Sequence, residues 1–148
     1  MFSRACEYGI KAVIYIAVQS KEARRVSLKD IASASNAPEA FTAKILQILV
    51  KANVIDSVRG SAGGFEIDPA KLNTLKLSQI VSAIDGDEIY KGCGLGLEEC
   101  SEIQPCPVHH KFAKIRNDLK QMLETTTILE LAEGISKGET YLKRKSVL

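Results

Sequence analysis

Apolar residues recur at helical spacing from the start of the chain. Cys6, Ile10, Val13, Ile14, Ala17 and Val18 fall on one side of residues 4–19, and Arg4, Tyr8, Lys11, Tyr15 and Gln19 on the other, which predicts an amphipathic helix. Ser27 with Asp30 three residues on marks the start of a short helix running to about Ser35. Asn36, Ala37 and Pro38 then signal a turn, with Pro38 suited to the first position of a new helix. That helix is predicted from Glu39 to Ala52, burying Phe41, Ile45, Leu46, Ile48 and Leu49. Two β-prone runs within residues 54–67 flank the glycine-rich stretch Arg59–Gly64 and predict a hairpin. A further helix over Leu77–Ile84, capped by Ser78 or by the Lys76–Leu77 step before it, stops at Asp85 and Gly86.

Beyond residue 107 the helical period returns. Phe112, Ile115, Leu119 and Met122 form a narrow stripe on a helix from Val108 to Glu124, and so short a stripe needs a partner helix to cover it. Thr125–Thr127 recaps the chain for a last helix over Ile128–Ile135. The expected fold is mainly α with a small β-hairpin wing. A winged helix–turn–helix domain spans residues 1–84, a cysteine-bearing loop 85–107, and a dimerisation helix with a C-terminal helix 108–148.

Composition narrows the function. The chain has 148 residues, enough for one core with an appended element, and its 45% hydrophobic and 26% charged residues are ordinary for a soluble protein. Arg4, Glu7 and Lys11 interrupt the N-terminal apolar residues, unlike a secretory leader, and no apolar run approaches the ~20 residues that span a bilayer. A cytoplasmic protein without membrane contact is the expectation. Its net charge of +2 is unevenly spread. Residues 1–70 carry nine Lys/Arg against seven Asp/Glu, residues 71–106 three against six, and residues 107–148 eight against five. That balance permits a nucleic-acid surface without requiring one.

In a helix–turn–helix the second helix lies in the major groove and its solvent-facing N-terminal residues meet base edges. Here those are Glu39, Ala40, Thr42 and Ala43, with Lys44 and Gln47 placed for phosphate or further base contact. Arg59 and Ser61 sit on a small-residue tip that can approach a phosphate backbone or enter a minor groove, and Ser27 opens the preceding helix. A plain helical protein with a solvated glycine turn is the competing interpretation. No catalytic constellation appears: neither histidine has an evident triad partner, and Gly60–Gly64 lacks the lysine of a phosphate-binding loop.

Cys93, Cys100 and Cys106 fall within a glycine- and proline-punctuated loop, followed at once by His109 and His110, the chain's two histidines. Thiolates suit zinc and iron–sulfur clusters. The gaps of six and five residues fit poorly with zinc knuckles, which pair cysteines across about two to four residues. Three thiols leave one position for histidine or a carboxylate. Free surface cysteines, a metal-free thiol–disulfide switch and a zinc-stabilised protein-interaction module remain as alternatives. Cys6, by contrast, suits a core position.

Several stretches together resemble the IscR/NsrR-type (Rrf-two) bacterial transcription regulators over nearly the whole chain. They are Glu7–Ala12, Ser27–Ala32, Val58–Phe65, and the three cysteines with the helix after them. The resemblance implies a homodimer whose long helices cross, binding a pseudo-palindromic double-stranded DNA operator. It also implies an iron–sulfur cluster, 2Fe–2S ahead of 4Fe–4S, whose state controls operator affinity. Cys93, Cys100 and Cys106 would be thiolate ligands. The fourth would be His109 by similarity to the iron–sulfur biogenesis regulators, or Glu7 by similarity to the nitric-oxide sensors, where it could come from the partner subunit; His110 or an exogenous ligand is also open. A helical wheel puts Glu7 between Ile14 and Val18, an awkward place for an unpartnered carboxylate. Ala43 stands where some biogenesis regulators carry a glutamate, which bears on operator choice.

Overall fold

A computed structural model describes residues 1–144. Helix α1 (Arg4–Lys21) starts at Ser3, whose side-chain oxygen accepts from the Cys6 N–H, and it is the element around which the others gather. Helices α2 (Leu28–Ser35), α3 (Glu39–Lys51), α4 (Leu77–Asp85) and α7 (Ile128–Ser136) all pack on it. Its buried arc is therefore wider than one amphipathic stripe. Gly9, Ala12 and Ile16 are buried as well as Cys6, Val13, Ile14 and Ala17, while Ile10 and Val18, expected inside, are only half-buried. At Gly9 any side chain would run into Ile84 and Ile45, so the glycine permits the close crossing of α1 with α3 and α4.

The helix–turn–helix forms as the residues foretell. Ser27 and Asp30 cap α2 reciprocally, and Asn36 closes it in the left-handed conformation that asparagine tolerates. Pro38 is the cap of α3, one position earlier than expected. Inside α3 the burial differs from expectation. Ile45, Leu46 and Leu49 are buried, but Phe41 and Ile48 are exposed, and Thr42 takes the inward position instead. The Thr42 hydroxyl can be buried because it donates to Pro38 O at 2.9 Å.

Strands β1 (Asp56–Val58) and β2 (Gly64–Glu66) pair antiparallel, with Ser57 opposite Phe65. Val26 adds a bridge to Phe65 on the other side, through hydrogen bonds of 2.8 and 3.1 Å. A single 3₁₀ turn, Pro69–Lys71, leads on toward α4. The start of α4 is closed by the Gln79 side chain, which accepts from Lys76 N–H, and not by Ser78.

Two features depart from the expected division of the chain. A short helix α5 (Glu88–Lys91) occupies the start of the expected loop. It is fastened by Asp87, which accepts from the Ser82 and Tyr90 hydroxyls at 2.5 and 2.7 Å and pairs with Lys91 at 2.8 Å. The C-terminal helices also share the core of the winged half. After α6 (His109–Thr125), Thr126 O accepts from Leu77 N–H, and Leu75 O accepts from Ile128 N–H. Leu123, Ile128 and Ala132 are completely buried in the same cluster as Ile16, Leu46 and Ile80.

Candidate metal centre and nucleic-acid interface

The third helix and the hairpin present one continuous surface. Glu39, Ala40, Lys44 and Gln47 are exposed along α3, and Ala43 is half-exposed among them. Ala43, Gln47 and Lys51 line an open depression whose other wall is Ser57, Arg59 and Phe65 of the hairpin. The candidate base-reading helix and the candidate wing arginine thus face the same space. Lys51, which sequence reasoning omitted, belongs to this wall; its cue was the basic last turn of α3. Thr42 does not belong to the surface, because its side chain is inward and its hydroxyl is spent on the helix.

The wing is braced from below and open at its tip. Arg25 pairs with Glu66 at 3.0 Å and donates to Ala62 O at 3.2 Å, which ties the base of the hairpin to the returning side of its tip. Gly60 has φ of +105° and Gly64 of +140°, conformations that demand glycine. Arg59 and Ser61 are exposed beside them, and Arg59 makes no ion pair among the described residues. Ser27 is exposed as a residue, but its oxygen already accepts from Asp30 N–H at 3.2 Å.

The cysteine loop runs from Gly92 to Val108 and hangs on α6. All three of its cysteines are half-buried and unbridged. The Cys93 sulfur lies 3.4 Å from Leu95 N–H. Its thiol is held below the ordinary value by the backbone N–H groups of Leu95 and Leu97, with Cys106 and Gly96 adding to the effect. Cys100 Sγ lies 3.4 Å from His109 Nδ1 and 2.9 Å from Arg116 Nη1, and the same arginine nitrogen donates to Gly92 O at 2.5 Å. The ring of Phe112 covers Gly94 so closely that a side chain there would collide with it. His109 is the buried histidine, 6% exposed, at the first turn of α6; His110 is exposed beside it.

Cys100 stands beside His109, and Cys106 is near enough to Cys93 to help hold its thiol low. Among the described residues no three His, Cys, Asp or Glu side chains gather tightly enough to enclose one ion. Glu7 is elsewhere. It is exposed in the first turn of α1, where a carboxylate is favoured by the helix N-terminus, so the buried position expected from the helical wheel is wrong. The wheel failed because the buried arc of α1 is filled from Cys6, Gly9 and Val13, which turns Glu7 outward. Arg116 was missed in sequence reading. Its spacing of seven from His109, two helical turns on the same face, was the available signal.

No helix among the described residues is long and apolar enough to cross a membrane. A family model, "Rrf2: Iron-dependent Transcriptional regulator", matches residues 2–134. A putative HTH-type transcriptional regulator of Aquifex aeolicus is 32% identical over 136 residues, covering 88% of this chain and 90% of that protein. The HTH-type transcriptional regulator IscR of Pectobacterium atrosepticum is 25% identical over 127 residues, covering 86% and 76%. Among solved structures, CymR, the global cysteine regulator of B. subtilis, superposes with a TM-score of 0.74 at 25% identity, covering 90% of this chain and 96% of that one.

Proposed function

The chain belongs to the Rrf2 family of iron-dependent transcriptional regulators, and from that premise we propose that an iron–sulfur cluster on residues 93–109 sets its affinity for an operator. It is a DNA-binding winged-helix regulator and not an enzyme. Three thiols on one loop, with the His109 imidazole beside Cys100 at the start of α6, carry the finer reading. Cys93, Cys100, Cys106 and His109 would be four ligands that do not gather around one point among the described residues. A single tetrahedral zinc wants four donors around one point, whereas a 2Fe–2S cluster wants two protein ligands on each of two irons. Mixed sulfur and nitrogen ligation of such clusters is chemically established and raises their potential. The donor set therefore fits 2Fe–2S, with His109 as the fourth ligand ahead of Glu7, His110 or an exogenous group.

Bound there, the cluster supplies a reversible one-electron change and a target for oxidants or nitric oxide. The chain's own residues would turn that state into geometry. His109, Phe112 and Arg116 all reach the loop from α6, so the order of the loop and the setting of α6 are linked. Phe112, Ile115 and Met122 leave an exposed apolar stripe on that helix. A second copy of the chain covering this stripe gives a homodimer, which places two winged surfaces on a two-fold operator. Free thiols of this kind suit a reducing cytoplasm.

Two observations favour a second reading, a metal-free thiol switch. The depressed Cys93 thiol lies beside Cys106, and the chain is similar to a cysteine regulator, CymR. Anaerobic purification followed by absorption and electron paramagnetic resonance spectra, with iron and zinc assays, separates the readings. Coloured protein with about two irons per chain supports the cluster. Colourless protein carrying stoichiometric zinc, or no metal, overturns it. At the DNA surface, Arg59→Ala should weaken operator binding about tenfold and reduce the salt slope by about one unit. Binding that is unchanged at every salt concentration would remove the wing from the interface.

A further inference from the structure

Arg116 has no part in the donor set, yet it holds the loop at two places. It stands two turns beyond His109 on the face of α6 that also carries Phe112, a spacing of three and then four residues. From there Nη1 donates to Gly92 O at 2.5 Å and to Cys100 Sγ at 2.9 Å. One guanidinium nitrogen therefore joins the residue before the first cysteine to the second cysteine. The side chain is half-buried and pairs with no carboxylate among the described residues. A cation withdrawn from water in this way needs electron density nearby. The Gly92 carbonyl and the Cys100 sulfur provide it. Two lysines of the same helix make no such reach: Lys114 and Lys120 pair along α6 with Asp118 and Glu124 at 3.6 and 4.0 Å.

We propose that Arg116 is a positioning residue for Cys100, pinning its sulfur to α6 and setting how readily the site accepts an electron. This rests on the iron–sulfur reading above. A guanidinium is permanently charged and only donates, so beside a ligating sulfur it favours the more negative, reduced state. Hydrogen bonds to sulfur and local charge are among the quantities that set a cluster's potential. Because the same nitrogen grips Gly92 O, a change in charge at Cys100 alters the hold of α6 on the start of the loop. Arg116 is thus the point where the electronic state of the site meets the mechanical state of the helix.

The test compares wild type, Arg116→Gln and Arg116→Lys. Each is purified anaerobically and titrated with mediators while absorption and electron paramagnetic resonance follow the site. Arg116→Gln should lower the midpoint so that, at the wild-type midpoint, the oxidised-to-reduced ratio rises about tenfold, which is about 59 mV for one electron. Arg116→Lys, which keeps the charge, should recover at least half of that shift. Hydrogen exchange on the metal-free proteins gives a second measurement: residues 92–101 should exchange severalfold faster in Arg116→Gln, with α1 to α4 unchanged. A Gln variant with both the wild-type midpoint and wild-type loop exchange overturns the proposal. A Lys variant as low in potential as Gln overturns its electrostatic half. If Arg116→Gln assembles no cluster, the metal-free exchange decides alone. Wild-type protein without iron would instead sink the cluster reading, while the exchange comparison still judges the grip of Arg116.

Discussion

Cys6 and Cys93 are the same residue in opposite surroundings. Cys6 is fully enclosed in the first turn of α1, and burial pushes its thiol up to about 12, with the nearby charges of Asp85 and Glu7 adding to the shift. Cys93 is half-exposed on the loop, and the N–H groups of Leu95 and Leu97 pull its thiol down. The contrast extends to the regions that hold them. The winged half and α7 close over a shared apolar cluster, with side-chain caps at Ser3, Ser27 and Thr127. The loop leaves Leu95, Leu97 and Ile103 exposed and satisfies its donors locally, as when Ser101 Oγ accepts from Ile103 and Gln104 N–H. Cysteine serves as packing in one region and as a partly exposed thiol in the other. A region that does not hold up the fold can change its order without unfolding the rest.

The largest expected contrast is in thiol reactivity. In metal-free protein at pH 8, iodoacetamide with mass spectrometry should find Cys93 modified first and Cys6 last, with rates about a thousandfold or more apart. Comparable rates would erase the distinction between the two environments. Stability should divide the same way. Ile128→Ala, in the core, should cost about 2–5 kcal/mol in denaturant unfolding. Cys106→Ala, in metal-free protein, should change it by less than about 0.5 kcal/mol. A large loss from Cys106→Ala would mean that the loop is structural after all.

The smallest effect concerns the lock at α5, where the winged half passes into the loop. The Lys91 ammonium and the Ser82 and Tyr90 hydroxyls hold Asp87 below the usual carboxylate range, and Asp87 in turn raises Lys91. An acid depressed on folding stabilises above its unfolded value of about 4, and this is lost as pH falls through the folded value. A raised ammonium stabilises below about 10.4, and this is lost as pH rises through the folded value. The melting difference between wild type and Asp87→Asn should therefore be constant from about pH 5 to 9 and vanish on acidification. A difference that grows in acid would reverse the assigned sign.

What could be read from the sequence follows this division. The helix–turn–helix, the hairpin and the last two helices were legible because caps and apolar periods are local signals. Ser27 with Asp30, the Asn36–Pro38 turn and Thr127 each act within four residues. Burial around α1 and α3 was less legible. Which side of Thr42 or Glu7 faces inward depends on how four helices close around α1, and no local pattern records that. The thiols of the loop were visible as residue types, but which of them lies beside His109 was not, since that depends on how the loop folds back on α6. Arg116 escaped because an arginine on an amphipathic helix looks like solvated surface until its reach to Gly92 and Cys100 is known.

The seating of α7 against α1 has a consequence for the order in which the protein comes into being. Ile128 and Ala132 belong to the same buried cluster as Ala12 and Ile16, so the first helix lacks part of its cover until residues 128–132 have left the ribosome. The cysteine loop is translated before that closure. A chain interrupted ahead of the loop therefore lacks Ile128 and Ala132 and leaves part of α1 uncovered.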